Sequence, residues 1–326
     1  MDFVTTRLPG DDGVEIAVYE WPLPAGAKPK AAVQIAHGMA EHARRYDHVA
    51  RALIAAGYAV YASDHRGHGQ SVRSPADLGF FAEQDGWRKV VADMLRVNRY
   101  IAARHPGVPL VLFGHSMGSF LAQDYLFSHG ETLSGAVLSG TNSGSAALVR
   151  AGLLIARLER WRVGPRGKSR VLAALSFGDF NRRFKPTRTE FDWLSRDHAE
   201  VDKYIADPLC GFEMTVQGWI DVFGGLINND KPGNQARVPK TMPIYLFAGA
   251  EDPVGGAGKG VLALVASYGR AGITDVTHKL YAAARHEMVN ETNRAEVITD
   301  LVAWLDGHVA YVAGAAAAPS GKRPLY

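Results

Sequence analysis

The sequence predicts an α/β fold, a mostly parallel central sheet with helices on both faces and a helical insertion near its middle. Two observations predict it. Short apolar runs rich in Val, Ile and Leu alternate with longer segments of helical period, the pattern of right-handed βαβ units. The alternation then stops for about a hundred residues after position 139, far longer than an ordinary connection. With 326 residues, 47% of them hydrophobic, the chain can bury one large core and still carry an insertion.

The elements follow in order. Residues 7–20, broken by Asp11-Asp12-Gly13, predict an opening hairpin that makes the sheet mixed at one edge. Residues 31–36, 58–63, 109–113, 135–139 and 243–248 predict buried strands, and 277–282 a last one. Helical periods occupy residues 46–56, 87–104, 116–128, 259–268 and 292–307. Inside the insertion, 146–161 is the clearest helix: Arg150, Arg157 and Arg160 form a narrow cationic stripe, and Leu148, Val149, Leu153, Leu154, Ile155 and Leu158 cover the rest. The Ala- and Gly-rich tail is expected to be frayed.

Composition excludes several classes of function. No apolar run reaches the eighteen or so residues of a membrane span. The N-terminus lacks the basic start and apolar core of a secretory signal. Cys210 is the single cysteine, so intramolecular disulfides and cysteine-based zinc sites are ruled out and a cytoplasmic setting is expected. A net charge of +3 gives no case for nucleic acid. Its distribution is uneven, however. Residues 150–188 hold eleven Lys or Arg against Glu159 and Asp179, a local +9 that leaves the remainder at −6.

Gly114-His115-Ser116-Met117-Gly118 matches G-x-S-x-G. Alone the pattern is weak, but here a predicted strand precedes it and a predicted helix follows. A nucleophilic serine needs that context: the sharp strand-to-helix turn exposes the hydroxyl at a helix N-terminus, and flanking glycines let neighbouring chains pass. Serine also needs a base oriented by a third group. After strand 243–248 come Glu251 and Asp252, and Asp252 is preferred because the Pro253 ring stiffens its turn. Of the twelve histidines, His286 lies just past the last predicted strand. His278 falls inside that strand, His308 in the final helix, and His115 is expected to point elsewhere from its tight turn. The order Ser116, Asp252, His286 is that of an α/β-hydrolase triad. Two phosphate-loop lookalikes fail: Gly258-Lys259-Gly260 lacks the following Ser or Thr, and Gly167-Lys168-Ser169 lacks the earlier glycine.

Five motifs appear in sequence order: His37-Gly38-Met39-Ala40-Glu41-His42, Asp64-His65-Arg66-Gly67-His68-Gly69, the Gly114–Gly118 elbow, Gly249-Ala250-Glu251-Asp252-Pro253-Val254 and Arg285-His286-Glu287-Met288. Together they resemble the monoacylglycerol lipase and lysophospholipase branch of the α/β-hydrolases, also labelled serine aminopeptidase-like. The resemblance covers residues 4–307, with the insertion alike only in kind. It implies a core of residues 1–140 and 243–308, a helical cap over 141–242 and a flexible tail at 309–326. It implies an oxyanion hole from the backbone N–H groups of Met39 and Met117, and no cofactor. His37 is expected to brace its loop. Asp64, His65, Arg66 and His68 are expected to form a loop-bracing network rather than a metal site.

A cap of Leu, Ile, Ala and Phe over a serine nucleophile suits an ester with a long acyl chain. Segments 146–161 and 171–180 are expected to line the acyl entrance. Asp207-Pro208-Leu209-Cys210 resembles the segment that returns from cap to core, which puts Cys210 near the site without a catalytic role. The cationic stripe reads either as a solvated face of snorkelling stems or as peripheral contact with an anionic membrane. The expected activity is a serine ester hydrolase acting through an acyl-enzyme on a monoacylglycerol, with a lysophospholipid or another single-chain ester as alternatives. A peptidase lacks an identifiable acidic pocket for a substrate amino group. A ligand receptor, a haloperoxidase or a C–C hydrolase on the same fold are alternatives of other classes. Serine at the elbow disfavours dehalogenase and epoxide-hydrolase chemistry.

Overall fold

The computed structural model describes residues 3–144 and 146–316, with side chains described through His308. They form an eight-stranded sheet of order β1-β2-β4-β3-β5-β6-β7-β8. The opening hairpin is β1 (Val4–Pro9) and β2 (Glu15–Trp21), antiparallel to each other, and β2 runs antiparallel to β4. The remaining strands are β3 (Ala32–Ala36), β4 (Ala59–Ser63), β5 (Leu110–His115), β6 (Gly135–Ser139), β7 (Ile244–Gly249) and β8 (Val276–Tyr281). These pair in parallel, so their carboxyl ends share one edge.

The alternation of side chains along β5 shows how the sheet buries both faces. Leu112 packs with α2 (Gly86–Arg104), α3 (Met117–His129) and α9 (Lys259–Arg270). Val111 and Phe113 point the other way, to α1 (Asp47–Ala55) and α10 (Arg294–Ala316). From Met117 to Phe127, α3 is buried on all sides. The predicted strands and helices lie within a few residues of these bounds, with one larger difference. The final helix runs to Ala316 rather than ending at 307, because Ala310, Ala313, Ala315 and Ala316 favour helix. Of the tail expected at 309–326, residues 309–316 continue this helix instead, and residues 317–326 lie outside the described residues.

Between β6 and β7 the described residues hold helices and no strand. They are α4 (Ala146–Val163), α5 (Arg170–Phe177), α6 (His198–Ala206), α7 (Val216–Asn229) and the short α8 (Pro232–Gln235). Ser169, in one of the phosphate-loop lookalikes, caps α5 by accepting the Leu172 N–H at 3.3 Å. Helix α4 packs on α7, where Gly152 faces the Phe223 ring. Its apolar residues therefore divide. Val149, Gly152 and Ile155 face inward, Leu154 and Leu158 are exposed away from the cavity, and Leu148 lines the cavity while remaining exposed. Among the described residues no helix is long and apolar enough to cross a membrane.

Candidate active site

The elbow follows directly from β5. Ser116 takes φ 52° and ψ −120°, a conformation that L side chains avoid. The two glycines permit it: a Cβ on Gly114 would lie 2.4 Å from Gly118 O, and one on Gly118 only 2.1 Å from Ala36 O on β3. Met117 is the first residue of α3, so its N–H has no acceptor within the helix. The loop after β3 carries Met39, and both residues line the same cavity as Ser116 and His286.

Asp252 follows β7 and His286 follows β8, at the same edge of the sheet. Asp252 is fully buried. Both its carboxylate oxygens lie 3.0 Å from His286 Nδ1, and Oδ1 also accepts the Val254 N–H at 2.9 Å. Glu251 is exposed beside it. Burial alone would lower the His286 pKa, but the Asp252 charge and hydrogen bond outweigh it and raise the pKa above its ordinary value. His278 stays exposed on β8, and His308 Nδ1 lies 2.8 Å from Trp304 O. His115 does not leave the site, contrary to expectation: its ring packs 4.8 Å from that of His286, and its Nδ1 lies 3.2 Å from Ser139 Oγ. Burial and the neighbouring His286 depress its pKa to about 3, so it stays neutral.

The loop motifs act as braces. His37 Nε2 accepts the His65 N–H at 3.0 Å, so Nδ1 carries the proton and donates to Gly38 O at 2.7 Å. Asp64 receives the Tyr19 hydroxyl and the N–H groups of Ala43 and Gln70 at 2.7–2.8 Å. Arg66 is buried between Asp93 and Asp12. Cys210 is buried near the loop that carries Met39, and the next residue, Gly211, donates its N–H to Ala40 O at 2.9 Å. Burial pushes its thiol well up, which keeps it protonated.

The cavity measures about 1350 Å³ and lies between the sheet edge and the cap. Val149, Gly152 and Ile155 of α4 line it with Leu172 and Phe177 of α5, and Phe180 follows. Trp219, Phe223 and Leu226 of α7 also line it. Nothing in the sequence assigns α7 to the cavity. Gly218, Gly224 and Gly225 lower its helix propensity, though Gly225 is needed where a Cβ would lie 2.2 Å from the Trp87 ring. Trp193 was also missed. Its ring lies 5.1 Å from His286, and Leu194 O accepts the Glu287 N–H at 2.7 Å. No sequence pattern links that aromatic, nearly a hundred residues away, to His286.

The profile described as "Serine aminopeptidase, S33" matches residues 27–293. The chain is 30% identical to a monoacylglycerol lipase of Mycolicibacterium smegmatis, over 92% of this chain and 96% of that protein. It is 31% identical to the monoglyceride lipase of Rattus norvegicus, over 96% of this chain and 93% of the relative. A thermostable carboxyl esterase from Bacillus coagulans, solved with glycerol, superposes with a TM-score of 0.87 at 28% identity, over 95% of this chain and 99% of that one.

Proposed function

The chain belongs to the serine aminopeptidase S33 family and is a carboxylic-ester hydrolase on the α/β-hydrolase fold, and we propose that it is a monoacylglycerol lipase. The observation that carries this reading is the convergence, at one end of a large apolar cavity, of a serine in a strained elbow with a buried histidine–carboxylate pair. Ser116 Oγ attacks the ester carbonyl while His286 Nε2 takes its proton. The Met39 and Met117 N–H groups stabilise the oxyanion, and loss of one such donor typically costs about 3 kcal/mol. Collapse of the tetrahedral intermediate releases glycerol, which takes the proton from His286 and leaves an acyl-enzyme. Water, activated by the same base, then frees the fatty acid. Asp252 holds the imidazole and stabilises its cation. The apolar walls from α4, α5 and α7 suit the acyl chain.

The outer cap supports a peripheral membrane contact. Leu154, Leu158, Trp161 and Leu175 are exposed, Trp161 to 91%, among Arg150, Arg157 and Arg160. Apolar side chains ringed by cations match an anionic lipid surface, from which a single-chain ester could pass into the cavity. The single, buried cysteine supports a reducing, cytoplasmic setting on that surface.

The test compares wild type with Ser116→Ala on p-nitrophenyl esters of two to sixteen carbons, 1-oleoylglycerol and lysophosphatidylcholine. Turnover of 1-oleoylglycerol that the variant lacks supports the reading. Preference for lysophosphatidylcholine makes the chain a lysophospholipase, and activity confined to short esters makes it a general carboxylesterase. A folded wild type inert on every ester overturns the reading.

A further inference from the structure

The loop that carries the oxyanion donor and the loop that carries the base are fastened to each other by one buried guanidinium. Arg45 stands in the short turn Ala43–Tyr46 before α1. Its Nη1 donates at 2.6 Å to Glu41 Oε2 and at 2.6 Å to Glu287 Oε1, and its Nη2 donates at 2.7 Å to Glu287 Oε2. Glu41 Oε1 in turn accepts the Gly38 N–H at 2.6 Å and the Tyr46 hydroxyl at 2.9 Å. Glu287 directly follows His286, and Asn290 Nδ2 donates to its Oε2 at 2.9 Å. The chain of contacts therefore runs from the Gly38 amide, next to Met39, through Glu41, Arg45 and Glu287 to the base.

All three charged side chains are 10% exposed or less. Burying two carboxylates with one cation is a costly way to stabilise a fold, since apolar side chains of similar volume often do as well. What the arrangement supplies instead is fixed geometry, because the planar fork takes Glu287 with two parallel bonds. The Gly38 site fits this purpose: a Cβ there would lie 2.7 Å from Glu41 Oε1 and 3.2 Å from Ser116 Cβ. The cap clamps the same loop, since Tyr204 OH and the Gly211 N–H both donate to Ala40 O, at 3.0 and 2.9 Å. The Tyr204 ring also lies 4.9 Å from the Arg45 guanidinium.

We propose that Arg45 is a positioning residue: by bridging Glu41 and Glu287 it sets the distance between the oxyanion loop and His286. This rests on the reading of Ser116 as nucleophile and His286 as base. Arg45 touches neither substrate nor reacting atoms. It fixes where the acceptor of the proton stands relative to the donors that meet the oxyanion, and a misplacement of about 1 Å there costs on the order of 100-fold in rate.

The experiment compares wild type, Arg45→Met, Arg45→Lys and Glu287→Gln. Melting temperature, kcat and KM on p-nitrophenyl butyrate, and the second-order rate of Ser116 labelling by a fluorophosphonate are measured for each. Arg45→Met is expected to lose about 100-fold in kcat and in labelling rate with KM within about threefold. Arg45→Lys restores part of that loss, since an ammonium keeps the charge but not the fork. Glu287→Gln moves the acid limb of kcat/KM to lower pH, because one negative charge facing His286 is gone. Asp252, Glu41 and neutral His115 are the other titratable groups against that ring; a kcat loss at unchanged KM with partial rescue by Arg45→Lys is what a purely structural role would not produce. A folded Arg45→Met with wild-type kcat and labelling rate overturns the proposal. So does a loss confined to KM. If Arg45→Met does not fold, wild-type kcat and labelling rate in Glu287→Gln overturn it. If wild type is labelled but hydrolyses no ester, the lipase reading fails and the labelling rates still decide the role of Arg45.

Discussion

Asp252 holds His286 with both oxygens of its carboxylate, each 3.0 Å from Nδ1. A carboxylate can only accept, so Nδ1 carries the proton and the lone pair stands on Nε2. An amide at position 252 can turn its NH2 toward the ring and impose the opposite tautomer. Asp252→Asn is therefore expected to lower kcat by about 10⁴-fold while the fold persists, as such replacements do in serine triads. Exposed Glu251 makes no such contact, and Glu251→Gln is expected to stay within about twofold of wild type. Paired kinetics and melting curves check both. A larger loss in Glu251→Gln than in Asp252→Asn would exchange the roles.

The same contact sets a pH dependence. The carboxylate raises the His286 pKa above 6.5 despite burial. The proposed role of His286 as base needs the neutral ring, so activity is expected above that raised pKa and is lost as pH falls through it. The acid limb of kcat/KM is expected to have its midpoint above pH 6.5. A profile on p-nitrophenyl butyrate from pH 5 to 9 checks this, and a midpoint well below 6 contradicts the Asp252 interaction.

Which parts of this were legible in the sequence depended on how local each signal is. Buried strands and their helices are local patterns, and Gly135–Ser139 matched to the residue. The proposed triad of Ser116, Asp252 and His286 rests on chain order and strand ends, properties of topology that alternation reveals. Contacts between distant segments were not legible. Glu41 and Glu287 stand inside two of the five motifs, yet nothing in their spacing pairs them through Arg45, 242 residues from Glu287. Helix α7 hid behind its glycines, which weaken a helical reading and make sense only against Trp87. The outward turn of Leu154 and Leu158 was hidden too, since apolar residues on most of a helix do not tell which side meets the core.

Gly152 sets the clearance between α4 and α7. A Cβ there would lie 3.1 Å from the Phe223 ring, tight enough to push the ring. Both residues line the cavity, so Gly152→Val is expected to narrow the acyl path. The ratio of kcat/KM for the twelve-carbon to the four-carbon p-nitrophenyl ester should fall about tenfold or more, the range that a methylene or two of lost space accounts for. An unchanged ratio would mean that the acyl chain does not pass between these helices.

The exposed cap residues separate membrane contact from chemistry. Trp161 and Leu158 lie outside the cavity lining. Trp161→Ser with Leu158→Ser should weaken flotation with phosphatidylglycerol-containing vesicles while hydrolysis of p-nitrophenyl butyrate in solution stays unchanged. Raising salt should weaken the wild-type interaction as well, because each Arg near an anionic surface contributes about 1 kcal/mol, screened within a Debye length. Equal flotation of variant and wild type would leave the arginines as a solvated face.

Asp221 joins the cap to the core at a buried helix end. Its Oδ1 accepts the Gly86 N–H at 3.2 Å, at the start of α2, and Gln217 Nε2 at 3.3 Å. The residue before α2, Asp85, supplies no side-chain cap of its own. Asp221 Oδ2 has no partner, nor has Gln217 Oε1. Burial pushes the Asp221 pKa up to about 7, so folding favours its protonated form. The stability this contributes is fully present below the unfolded carboxyl value near pH 4 and is lost as pH rises through 7, at most about 4 kcal/mol for a shift of roughly three units. Asp221→Asn keeps the shape without the charge. It should melt above wild type at pH 8, since about 2 kcal/mol moves Tm by roughly 3 °C in a chain of this length. At pH 5 the gain should vanish, because wild type is then neutral at this position as well. A gain of equal size at both pH values would show that the charge on Asp221 is not what destabilises the cap junction.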